Sequence, residues 1–114
     1  MERNNLSPED QIDFQKQQLQ IYPDIAKVLI PLVPQGWNSL VLRLDQGDQG
    51  INHSILSDEG HKDVVFPPME LFEHTRKLEL LFKKYESMFE SVNFRIMENT
   101  EKKWAYTVEF VYPT

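Results

Sequence analysis

Trp37-Asn38-Ser39-Leu40-Val41-Leu42-Arg43-Leu44-Asp45 is the stretch on which the fold turns. Leu40, Leu42 and Leu44 share one side of an extended chain, and Ser39, Val41 and Arg43 share the other. Period-two alternation of this kind marks a strand with one buried face. Gln46-Gly47-Asp48-Gln49-Gly50 follows as a turn by composition. Ile51 to Leu56 then reads as a second strand, Ser57 to Gly60 as another turn, and Asp63 to Phe66 as a short third strand.

Working outward, Pro67-Pro68 closes the sheet segment and opens a helix expected over Pro68 to Glu90. Its stripe is Leu71, Leu78, Leu81, Tyr85 and Met88, with Glu70 and Glu73 early and Lys83 and Lys84 late, as the helix dipole favours. Beyond it Val92, Phe94 and Ile96 alternate, as do Trp104, Tyr106, Val108, Phe110 and Tyr112, with Asn99-Thr100-Glu101-Lys102 as the hairpin loop. The aromatics of that last strand read as core packing. A base-stacking platform would carry interleaved arginines and lysines, and Glu109 stands here instead.

Towards the N-terminus, Ser7-Pro8-Glu9-Asp10 has the pattern of a helix start, with a capping hydroxyl, a proline at the first position and acids in the first turn. Ile12, Leu19 and Tyr22 keep helical spacing, and Pro23 is expected to kink or restart the helix. Ile25, Val28, Leu29 and Leu32 resume the period until Pro31 and Pro34 end it. The expected fold is therefore α+β, in the order α-β-β-(β)-α-β-β. It is a single antiparallel sheet of four to five strands with the helices packed on one face. No linker, sequence repeat or low-complexity tract divides the 114 residues. One domain is expected, with a helical segment at about 7–33 and the sheet and second helix at 37–112.

Twelve basic against eighteen acidic residues leave a net charge of −6, which repels phosphate backbones and argues against a direct nucleic-acid ligand. There is no cysteine, so disulfides, thiolate metal sites and a cysteine nucleophile are excluded together. The polar start, without an apolar signal run, makes a cytoplasmic location the expectation, and Ile25–Val33, broken by Lys27 and Pro31, is too short to cross a membrane.

Catalytic constellations are scarce. The glycines sit at turns and form no phosphate loop. His53, His61 and His74 lack the i, i+4 spacing of helical metal ligands, although a site built from His53, His61 and Asp63 is conceivable. Asp58-Glu59 would need an environment that separates its two pKa values to serve as an acid–base pair, and a solvated turn supplies none. The expectation is no enzyme, no metal and no cofactor. What remains is surface: Asp45, Asp48, Asp58, Glu59, Glu98 and Glu101 lie near strand ends, where an acidic patch would suit a cationic partner.

Tyr22-Pro23-Asp24-Ile25-Ala26, Trp37-Asn38-Ser39-Leu40-Val41-Leu42, the helix around Leu71 to Phe89 and Trp104-Ala105-Tyr106-Thr107-Val108-Glu109-Phe110 carry one more signal. Their order resembles the YezG-like family of bacterial immunity proteins, from about Tyr22 onward. The chain departs from that pattern in its glutamine-rich N-terminal helix and in a final strand that stops at Tyr112-Pro113-Thr114. The resemblance implies a protein that binds and neutralises a cognate toxin domain, commonly a basic nuclease, by occluding its active site or a nearby surface. The alternative is a non-catalytic adaptor domain, homodimeric through an open sheet edge.

Overall fold

In the computed structural model, which describes residues 6–113, helix α1 runs from Pro8 to Leu29. Ser7 caps it, its hydroxyl accepting the Asp10 N–H at 3.1 Å. Pro23 does not restart the helix, which runs on through it as one element. The N–H that Pro23 lacks would have bonded the carbonyl of Leu19, and Leu19 is on the exposed side, where water can take that role. Burial of Tyr22, Ile25, Ala26, Val28 and Leu29 then holds the turn that proline weakens. A 3-10 turn over Ile30–Leu32 ends the segment.

Four strands follow: β1 (Ser39–Gly47), β2 (Gly50–Leu56), β3 (Ser91–Glu98) and β4 (Trp104–Val111), with α2 (Met69–Lys84) between β2 and β3. The sheet is antiparallel throughout, in the order β2-β1-β3-β4. Each half of the chain is a helix followed by a hairpin. Because the inner strands β1 and β3 run antiparallel, an approximate two-fold axis normal to the sheet relates the halves. The order of elements repeats although the residues do not.

Leu40, Leu42 and Leu44 of β1 and Val92, Phe94 and Ile96 of β3 are almost fully buried under the helices. Their cross-strand partners, Leu42 with Phe94 and Leu44 with Val92, confirm a common face. Phe82 lies at the centre, its ring 4.9 Å from Phe14, 5.1 Å from Phe89 and 5.1 Å from Phe110. Trp104, Tyr106, Val108 and Phe110 point to the same side but are only half-buried, because β4 is the last strand of the sheet.

Two boundaries differ from the sequence reading. The residues Asp63–Phe66 form no strand, which leaves four. The chain leaving β2 is drawn back across the start of β1 by bonds from Asp58 and Glu59, so it cannot turn alongside β2. Helix α2 stops at Lys84, well short of Glu90. Glu86 adopts a left-handed φ of 52°, and Ser87 donates its N–H back to the Phe82 carbonyl at 3.0 Å. That reversal delivers Phe89 into the core beneath Phe82. Among the described residues, no helix is long and apolar enough to cross a membrane.

Candidate protein-binding surface

The six acids do not gather in one place. Asp45 lies near the C-terminal end of β1, paired to Arg43 at 3.1 Å, and Asp48 occupies the two-residue turn between β1 and β2. Asp58, Glu59, Glu98 and Glu101 lie at the opposite end, because β3 runs antiparallel to β1 and ends beside Ser39. The two groups are separated by the length of β1, roughly 25 Å at about 3.3 Å per residue.

At the second end, contacts within the chain engage three of the four, Asp58 and Glu59 most closely. Asp58 accepts the Ser39 hydroxyl at 2.5 Å and the Arg95 Nε–H at 2.5 Å. Ser39 is buried, so the carboxylate completes a hydroxyl that water cannot reach. The Ser39 hydrogen bond, with help from Arg95 and against partial burial, holds Asp58 below the usual carboxylate range. Glu59 accepts the backbone and side-chain N–H groups of Asn38 at 2.9 and 3.2 Å, chiefly the first lowering its pKa. Asn38 also accepts the Glu98 N–H at 2.9 Å, so Glu59 and Glu98 meet across one residue. Glu101 is in the β3–β4 loop, exposed, with Lys103 at 3.7 Å.

The loop pinned by these bonds then passes His61 over the buried Trp37, ring centroids 5.2 Å apart and planes nearly parallel. Past that point Val64 is 74% exposed, Phe66 79% and Met69 82%, while Val65 between them packs on the core. Residues two apart on an extended segment share a side, so Val65 turned inward sends Val64 and Phe66 outward. Met69 and Phe72 continue the apolar surface on one side of α2, three residues apart. Apolar side chains this exposed, held on a braced loop and flanked by acids, match the anchor-and-rim pattern of protein interfaces. Sequence reasoning missed them because Val64-Val65-Phe66 before Pro67-Pro68 was read as a strand, whose side chains a sheet would have used.

Elsewhere the surface offers little chemistry. His53 is half-buried between β2 and α2, its Nε2 2.7 Å from Thr75 Oγ1 and its ring 4.3 Å from Phe72. His53 and His61 therefore belong to different surroundings. Among the described residues no group of three or more His, Asp or Glu side chains is placed to hold a metal. An open groove of about 380 Å³ between α1 and α2 has Ile21, Leu80 and Leu81 for its floor and Lys77 and Lys84 on its rim.

Burial lowers the His53 pKa, against a backbone bond at Ile51 and the field of Glu79. The unfolded chain takes up a proton near the ordinary value of 6.5. The folded protein takes it up only at lower pH. Stability therefore falls as pH drops below about 7, until the folded pKa is passed. In chemical unfolding series between pH 7.5 and 5.5, His53→Gln is expected to flatten this slope; an unchanged slope would remove His53 as its source.

The chain matches no protein-family model, and no curated protein matches it.

Proposed function

We propose that this chain works by binding another protein, as an immunity protein that neutralises a toxin domain, with a basic nuclease as the best-fitting class. The observation that carries the binding part is the exposure of Val64 and Phe66 on a loop braced by Asp58 and Glu59, and of Met69 at the start of α2. An exposed phenylalanine costs solubility, and its burial by a partner is the direct use for it. Acids support a cationic partner: Glu98 and Glu101 stand at the same end of the sheet, and the net charge is −6. The toxin-neutralising part rests on the order of elements that resembles the YezG-like family.

The test is co-expression with the C-terminal domain of the protein encoded immediately upstream, scoring growth rescue and then co-purification. Rescue with a one-to-one, salt-sensitive complex is the expected result. Phe66→Ala is expected to weaken that complex at least about 30-fold, as a central aromatic anchor does. Charge reversal at Glu98 and Glu101 should instead slow association, more at low salt than at high. A toxic neighbour that is neither bound nor rescued would overturn the immunity reading, and binding indifferent to Phe66 would overturn the surface.

A further inference from the structure

Among the described residues the outer side of the last strand, β4, pairs with no other strand, and its residues form a pattern that fits a copy of itself. Exposed edges are normally blunted by lysine, proline, a bulge or shortness. β4 has none of these: Trp104-Ala105-Tyr106-Thr107-Val108-Glu109-Phe110-Val111 is eight residues with one charge and no proline or glycine. The opposite edge differs. β2 opens on Gly50 at a φ of 118° and carries Asn52, His53 and Ser54.

We propose that β4 pairs antiparallel with β4 of a second copy about a two-fold axis through Val108, joining two four-stranded sheets into one of eight. Directly opposed residues must share a face, so the axis has to pass through a residue position. With Val108 on the axis, Tyr106 opposes the second copy's Phe110, and Trp104 opposes its Tyr112. Those aromatics are the half-buried part of the helix-covered face, and pairing would continue the core across the edge. On the other face Thr107 opposes Glu109 and Ala105 opposes Val111. No like charges meet, although the chain as a whole is acidic.

Helix α1 supplies an independent observation. It covers this edge, with the Tyr22 ring 6.2 Å from Tyr106. The hollow of about 250 Å³ between α1 and Tyr112 is bordered by Gln11, Gln15 and Gln18 and holds no charged residue. These glutamines repeat at helical spacing on one side of α1. A second copy brought up by β4 pairing would meet uncharged hydrogen-bonding groups there, where carboxylates or lysines would repel their own symmetry mates. This inference stands on the edge strand and the face of α1 beside it, and is independent of the immunity reading.

Sedimentation equilibrium of the full chain over a wide concentration range, joined to cysteine cross-linking, tests it. The chain has no cysteine, so a single introduced thiol can cross-link only between copies. On the axis, Val108→Cys would have its thiol within disulfide reach of its mate, since paired Cα atoms lie about 4.5–5.5 Å apart. Ala105→Cys would be six residues out of register, roughly 20 Å from its mate. We expect a reversible dimer, efficient oxidation of Val108→Cys and little of Ala105→Cys. Thr107→Glu, an exposed change facing Glu109 twice across the axis, should raise the dimer dissociation constant on the order of tenfold with the thermal midpoint of the monomer kept. A monomer at every concentration overturns the proposal. So does a dimer that cross-links no better through Val108→Cys than through Ala105→Cys.

Discussion

Replacing Phe82 with alanine is expected to cost about 3–5 kcal/mol of unfolding free energy, the range for deleting a fully buried aromatic side chain. Phe82 is fully buried, and its ring contacts Phe14 from α1, Phe89 from the segment before β3 and Phe110 from β4. Its loss would therefore loosen three separate attachments to α2 at once. Relaxation cannot fill the space easily, because the surrounding rings come from elements anchored elsewhere in the sheet. Thermal unfolding should shift down on the order of 10–20 °C for a chain of this size. Leu80→Ala, on the exposed side of the same helix, is the control and should change the midpoint little. A loss under 1 kcal/mol for Phe82→Ala would mean that α1 and β4 do not close over α2 as described.

Asp58→Ala is the second large effect, and it separates folding from recognition. Removing the carboxylate leaves the Ser39 hydroxyl, only 2% exposed, without its acceptor. A buried donor so abandoned costs about 1–3 kcal/mol. The Arg95 partnership adds little, because both side chains are about one-third exposed and such pairs contribute at most about 1 kcal/mol. Ser39→Ala in the Asp58→Ala background should recover part of the loss, since the orphaned hydroxyl is then gone. The pH dependence has a definite sign. Asp58 titrates lower in the folded protein than in the unfolded chain, so its contribution is complete above the ordinary carboxylate range. It fades as pH falls from about 5 through the folded value. Asp58→Ala should flatten the acid limb of the stability profile. If Asp58→Ala leaves stability unchanged yet abolishes partner binding, the residue is a contact and not a brace.

The contrast between Asp58 and Phe66 shows what a linear reading can and cannot recover. Both lie in the same twelve-residue connection, and both looked ordinary there: an acidic turn residue and one end of a short strand. Acidity at strand ends is visible in a sequence. Which carboxylate is consumed by a serine nineteen positions away is not. Val64-Val65-Phe66 has the residues of a strand, and only the pull of the Asp58 and Glu59 bonds away from the edge of β2 leaves two of its side chains in solvent.

What the sequence determined by itself is the material of the fold. Alternation in Ser39–Asp45, Val92–Ile96 and Trp104–Tyr112 dictates strands with one greasy face, and period 3.6 around Leu71–Leu81 dictates a helix to cover it. These signals are local, arising from how neighbouring side chains project from one backbone. Within each hairpin the antiparallel pairing also follows from a connection too short for a crossover, whereas the central β1–β3 pairing does not. The tertiary structure alone decided the strand order, which strand was left at the edge, where α2 stopped and that Pro23 would be tolerated. It also split six acids between two ends of the sheet and exposed Phe66. Each of these depends on which distant groups compete for the same hydrogen bond or the same buried space, and that competition exists only once the chain has closed on itself.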